Sequence, residues 1–181
     1  MSGSLILILG GARSGKSTYA QNRALEIGGK SVLYVATAEA LDGEMQARIE
    51  IHRAERPVGW QTLELPSLTE SGLAEAARSA EAVVVDCLTM LVSNAVIREG
   101  ESVGQERIQE TVDREIQTLW AAVRGSDVPW LVVSNEVGLG IVPANELART
   151  YRDTLGRVNQ RLAAKADEVL FMVAGLPWRI K

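Results

Sequence analysis

"LILILGGARSGKST", Leu5 to Thr18, decides the fold. Leu5 to Leu9 form an apolar run without polar alternation, the mark of a strand buried on both faces and hence of a parallel sheet flanked by helices. Gly10 and Gly11 end that run, and Gly15, Lys16 and Ser17 complete the pattern G-x-x-x-x-G-K-[ST]. Between a buried strand and a helix start, this pattern predicts a loop whose backbone N–H groups surround phosphate, reinforced by the helix dipole. With glycine at about 7% of residues, the four fixed positions should occur by chance in such a chain on the order of one per cent of the time. A bare strand-to-helix turn is the weaker reading.

Similar runs recur along the chain. "SVLYVA" at 31–36, "AVVVD" at 82–86, "WLVVS" at 130–134 and "VLFMV" at 169–173 are predicted strands, with a weaker one in "QTLEL" at 61–65 and another near Trp178 to Lys181. Helical patterns lie between them at Ser14 to Ile27, Gly43 to Ala54, Leu68 to Ser79 and Glu106 to Val123. Leu147, Tyr151, Leu155, Val158 and Leu162 mark one face of a further helix behind Pro143 and Asn145. "REGESVGQE" at 98–106 reads as an exposed loop between helices. Strands alternating with helices imply right-handed crossovers, so the expected class is α/β, a mostly parallel sheet with helices on both faces.

A chain of 181 residues with 46% hydrophobic content can bury one substantial core, and a single domain over 1–181 is expected. The net charge of −4 and the lack of a Lys/Arg block argue against a nucleic-acid partner, whose binding rests on counterion release. Cys87 is the only cysteine, which excludes an internal disulfide and a zinc signature and makes a cytoplasmic setting the default. A small, buried, hydrophobic role is expected for it. The run Leu5 to Leu9 is too short for a signal segment or a membrane span.

Within the loop, Lys16 is expected to meet the β and γ phosphates and the Ser17 hydroxyl to ligate Mg²⁺. Asp86, at the end of "AVVVD", could hold the metal directly or through water, or could simply terminate its strand. His52, the only histidine, lies in "DGEMQARIEIHRAERP". Glu44, Arg48 and His52 recur every four residues on one helical face, with Arg53 and Arg56 close by and Pro57 ending the helix. That face is either an ordinary solvated one or an anion site. In the second case a neutral imidazole can attack phosphorus without a separate base.

Together these blocks resemble the bifunctional adenosylcobinamide kinase/adenosylcobinamide-phosphate guanylyltransferases of cobalamin biosynthesis. The likeness runs through "GGARSGKS" at 10–17, "YVATAEALDGEMQARIEIHRAERP" at 34–57, "VVVDCLTMLVSN" at 83–94, "SNEVGLGIVP" at 134–143 and "YRDTLGRVNQRLAAKADEV" at 151–169. It implies a RecA-like P-loop NTPase fold and a homotrimer. It also implies two reactions: phosphorylation of adenosylcobinamide by ATP or GTP, then transfer of GMP from GTP to that phosphate through a guanylylated His52. By motif, the nucleotide contacts would be Gly10, Gly11, Ala12, Arg13, Ser14, Gly15, Lys16 and Ser17. Ala36, Thr37, Ala38, Arg53, Ala54, Glu55, Arg56, Glu64 and Asp86 would complete the set. Leu9 is a departure, since relatives often carry threonine there. A P-loop kinase of another small alcohol and a RecA-type assembly subunit are the alternatives, the second disfavoured by the acidic balance.

Overall fold

The computed structural model describes residues 3–40, 43–54, 56–69, 72–100 and 104–181, and the backbone alone of Glu44 and Arg48. Its strands are β1 (Leu5–Gly10), β2 (Val32–Ala36), β3 (Gln61–Glu64), β4 (Ala82–Asp86), β5 (Trp130–Asn135), β6 (Glu168–Val173) and β7 (Leu176–Arg179). The helices are α1 (Lys16–Gly28), α2 (Gly43–Ala54), α3 (Leu73–Ala77), α4 (Leu88–Glu99), α5 (Gln105–Arg124) and α6 (Glu146–Lys165). Among the described residues one seven-stranded sheet forms, in the order β3-β2-β4-β5-β1-β6-β7, with β6–β7 antiparallel and its other pairs parallel.

The apolar runs become strands because both faces of the sheet are covered. Leu5, Leu7, Val83, Val85 and Val132 face α3 to α6, whereas Ile6, Ile8, Val84, Leu131 and Val133 pack with Ala20 and Ala24 of α1. Full burial of each such side chain contributes about 1.5–3 kcal/mol, which outweighs weak local propensities. On α6, the side chain of Asn145 accepts from the Ala148 N–H and caps the first turn, as its position in the sequence suggests.

Four boundaries differ from the sequence reading. The helix expected over Leu68–Ser79 is confined to Leu73–Ala77. Upstream, Ser67 Oγ and the Leu68 N–H donate to the Glu115 carboxylate of α5 at 2.6 and 2.7 Å, so these groups serve a tertiary bond and not a helical turn. Helix α4 covers Leu88–Glu99, a stretch the sequence pattern leaves unassigned. It is buried on most sides, so it carries no clear amphipathic stripe. The loop expected at 98–106 is correspondingly shorter, and residues 101–103 lie outside those described. The last strand starts earlier than expected, at Leu176, because Ala174 and Gly175, both at positive φ (50° and 83°), turn the chain back in two residues.

Candidate active site

Parallel strands bring their carboxyl ends to one edge, and ligands of α/β sheets bind there. At the end of β1, Gly10 and Gly15 adopt φ of 152° and 90°, conformations that side chains resist. A Cβ on Gly10 would lie 2.7 Å from the Met172 carbonyl oxygen, so the loop also has no room for one there. Gly15 caps α1 without a side-chain hydrogen bond, which leaves the first amides of the helix available to an anion. The hairpin turn supports the loop from the far side, where the Gly175 N–H donates to the Ser14 carbonyl at 3.0 Å.

Lys16 is buried, and its Nζ donates to the Gly11 carbonyl at 2.6 Å. Desolvation lowers its pKa, with Cys87 and Asp86 acting in the opposite direction. Burial, assisted by Asp86, pushes the Cys87 thiol up to about 11. The thiol is therefore protonated near neutral pH, and Cys87 packs against the core as expected but is half-buried, not buried.

Strand register assembles the other half of the site. Ala36 pairs with Glu64 on one side and with Asp86 on the other, so both carboxylates stand in one row across β3, β2 and β4. Asp86 Oδ2 accepts a 2.6 Å hydrogen bond from Tyr34 Oη. Arg53 pairs with Glu64, and the Arg56 guanidinium lies 4.3 Å from the centroid of the Tyr34 ring. The two arginines thereby tie the end of α2, with His52 exposed on it, to the strands that carry the row.

The remaining sequence-predicted residues divide clearly. Ala12 and Arg13 are exposed at the loop tip, with Arg13 at φ 55°, while Ser14 is buried and Gly11 and Ser17 are half-buried. Thr37 is buried; its Oγ1 donates to the Cys87 carbonyl at 2.6 Å and accepts from the Cys87 N–H at 2.8 Å. Its hydroxyl thus fastens β2 to β4. Ala38 is half-buried beyond it and Ala54 is exposed at the end of α2. Glu55 and the side chains of Glu44 and Arg48 lie outside the described residues. Glu136, to which the sequence assigns no role, lies beside the loop through its N–H bond to the Gly10 carbonyl, and its carboxylate accepts from Gly138 N–H at 2.5 Å.

Sequence reasoning missed Tyr34. Its one available signal was a hydroxyl inside an apolar strand, which demands a buried partner. For a metal, the Ser17 hydroxyl and the Asp86 carboxylate are hard oxygen donors of the kind Mg²⁺ shares with phosphates while keeping several waters. Among the described residues there is no group of three or more His, Cys, Asp or Glu that could cage a metal alone. The donor set fits an ion that arrives with its nucleotide.

Residues 6–180 match the family model described as cobinamide kinase / cobinamide phosphate guanyltransferase. The chain is 44% identical to the bifunctional adenosylcobalamin biosynthesis protein CobU of Salmonella typhimurium, over 98% of this chain and 99% of that protein. It is 41% identical to the CobU of Escherichia coli, again over 98% and 99%. The bifunctional adenosylcobalamin biosynthesis protein CobP of Pseudomonas aeruginosa is 42% identical, over 97% and 96%. The chain belongs to the cobinamide kinase / cobinamide phosphate guanyltransferase family.

Proposed function

We propose that this member of the family phosphorylates adenosylcobinamide with ATP or GTP and then transfers GMP from GTP to the new phosphate, working as a single domain in the cytoplasm. The observation that carries the reading is that Lys16 of the phosphate loop interacts electrostatically with Asp86, the end of the Asp86–Ala36–Glu64 row to which Arg53 and Arg56 anchor the His52 segment. In the first reaction the loop amides and Lys16 hold the triphosphate while the acceptor hydroxyl attacks the γ-phosphorus. Bound Mg²⁺, held by Ser17 and by Asp86 directly or through water, would neutralise developing charge on the phosphates.

In the second reaction a ring nitrogen of His52 attacks the α-phosphorus of GTP. The bond to the bridging oxygen breaks, and pyrophosphate leaves under the charge of Lys16 and the loop amides. An oxygen of adenosylcobinamide phosphate then attacks the same phosphorus, the P–N bond breaks, and His52 is regenerated. Exposure of His52 favours this role over a packing role in the core.

Intact-mass measurement after incubation with GTP and Mg²⁺ tests the reading. An acid-labile GMP adduct, absent from His52→Ala, is expected; active wild-type protein without any adduct would refute the covalent route. A homotrimer is part of the same proposal. It is supported by Leu176, Trp178 and Ile180, 71%, 67% and 59% exposed on or beside the edge strand β7, and is tested by light scattering.

A further inference from the structure

We propose that Tyr34 is a positioning residue that joins the two halves of the site: its hydroxyl orients the Asp86 carboxylate, and its ring seats Arg56 behind His52. The inference rests on the function proposed above. Tyr34 is 2% exposed and sits in β2 between β3 and β4, so its ring is hemmed in on both sides. A phenol buried this deeply needs a hydrogen-bond partner, and Asp86 Oδ2, at 2.6 Å, supplies it. One carboxylate oxygen is thereby committed to the protein, and the other is left for a metal ion or its water. A phenol is protonated at neutral pH, so the hydroxyl is the donor of this bond and the carboxylate its acceptor.

The ring face serves a different neighbour. Arg56 rests on it at 4.3 Å and donates through Nη1 to Thr62 Oγ1 at 3.3 Å. Thr62 is the register partner of Tyr34 on β3, so the guanidinium spans two adjacent strands. Its Nε is buried and has no hydrogen-bond partner among the described residues. The Arg56 N–H donates to the Arg53 carbonyl, so Arg56 continues the turn that follows His52. One side chain thus supports both the carboxylate of the phosphoryl site and the chain segment that presents the imidazole.

Two substitutions separate these tasks. Tyr34→Phe keeps the ring and deletes the hydrogen bond, whereas Tyr34→Leu deletes both. The probe is a non-hydrolysable GTP analogue, its binding followed by calorimetry across a Mg²⁺ titration. Tyr34→Phe should need about tenfold more Mg²⁺ for half-maximal binding, as is typical when a partner of a metal ligand is removed. In an Asp86→Asn background the same substitution should add no further loss, because the bond it removes is already altered; a purely structural effect would persist there. Tyr34→Leu should in addition form the His52 adduct more slowly than Tyr34→Phe at saturating Mg²⁺. Mg²⁺-dependent wild-type binding matched by an equally dependent Tyr34→Phe protein would overturn the inference alone. Wild-type binding indifferent to Mg²⁺ would overturn the proposed function as well.

Discussion

Lys16 Nζ donates to the carbonyl oxygen of Gly11 at 2.6 Å, closing the phosphate loop upon itself. The ammonium is buried and occupies a carbonyl where a phosphate oxygen would bind it more strongly. Such a group serves binding more than folding, and this difference can be measured.

Lys16→Met should leave the thermal midpoint of the ligand-free protein unchanged or higher while abolishing the stabilisation produced by GTP and Mg²⁺. Both transfer reactions should fall by about 100-fold or more, the usual cost of losing a donor to developing charge. The pH dependence has a definite sign. Because burial lowers the pKa below 10.5, the unfolded chain binds more protons than the folded one between the lowered value and 10.5. Wild-type stability should therefore gain on that of Lys16→Met as pH rises through this window. Thermal melts of both proteins from neutral pH to pH 10 check it.

His52→Ala should lose GMP transfer and retain at least part of the kinase reaction, since γ transfer needs the loop and not the imidazole. Separate assays of labelled adenosylcobinamide phosphate and adenosylcobinamide-GDP distinguish the two products. Equal loss of both activities in a folded variant would contradict this division.

Thr37→Val should cost about 2 kcal/mol of stability, because the Cys87 N–H and carbonyl both lose their bond to the hydroxyl inside the sheet. Denaturant unfolding gives the stability and a KM for GTP gives the rest. An unchanged KM is expected from the observed bonding, and a rise of about tenfold with little loss of stability would instead assign the hydroxyl to the nucleotide.

Glu115→Ala should destabilise the protein by about 3 kcal/mol, as expected when a buried charged network loses its acceptor. The Glu115 carboxylate takes Ser67 Oγ, the Leu68 N–H and Arg98 Nη2, joining α5 to α4 and to the chain after β3. Urea unfolding should register the loss, with kcat little changed in the folded fraction.

Glu115 and Tyr34 illustrate why part of the molecule was hidden from sequence reasoning. In sequence, Glu115 is one acid among many on a polar helix and Tyr34 is one more large residue in a strand; Ser67 and Leu68, which bond Glu115, and Asp86, which bonds Tyr34, lie 47 to 52 positions away. Helix α4, implied before the 98–106 loop but given no bounds, has a related cause, since a segment buried on most sides loses the stripe by which helices are read. By contrast, the phosphate loop, the buried strands and the Asn145 cap depend on neighbours in the chain, and each was legible.

Local chemistry alone determined that a buried strand would run into a glycine-bound phosphate loop, and that one histidine beside two arginines would end a helix. Only the tertiary structure decided that Arg53 pairs with Glu64, that Arg56 rests on Tyr34, and that Glu64, Ala36 and Asp86 form one row. The reason is physical: a motif is a matter of spacing along the backbone, whereas the register of parallel strands is set by the packing of both sheet faces at once.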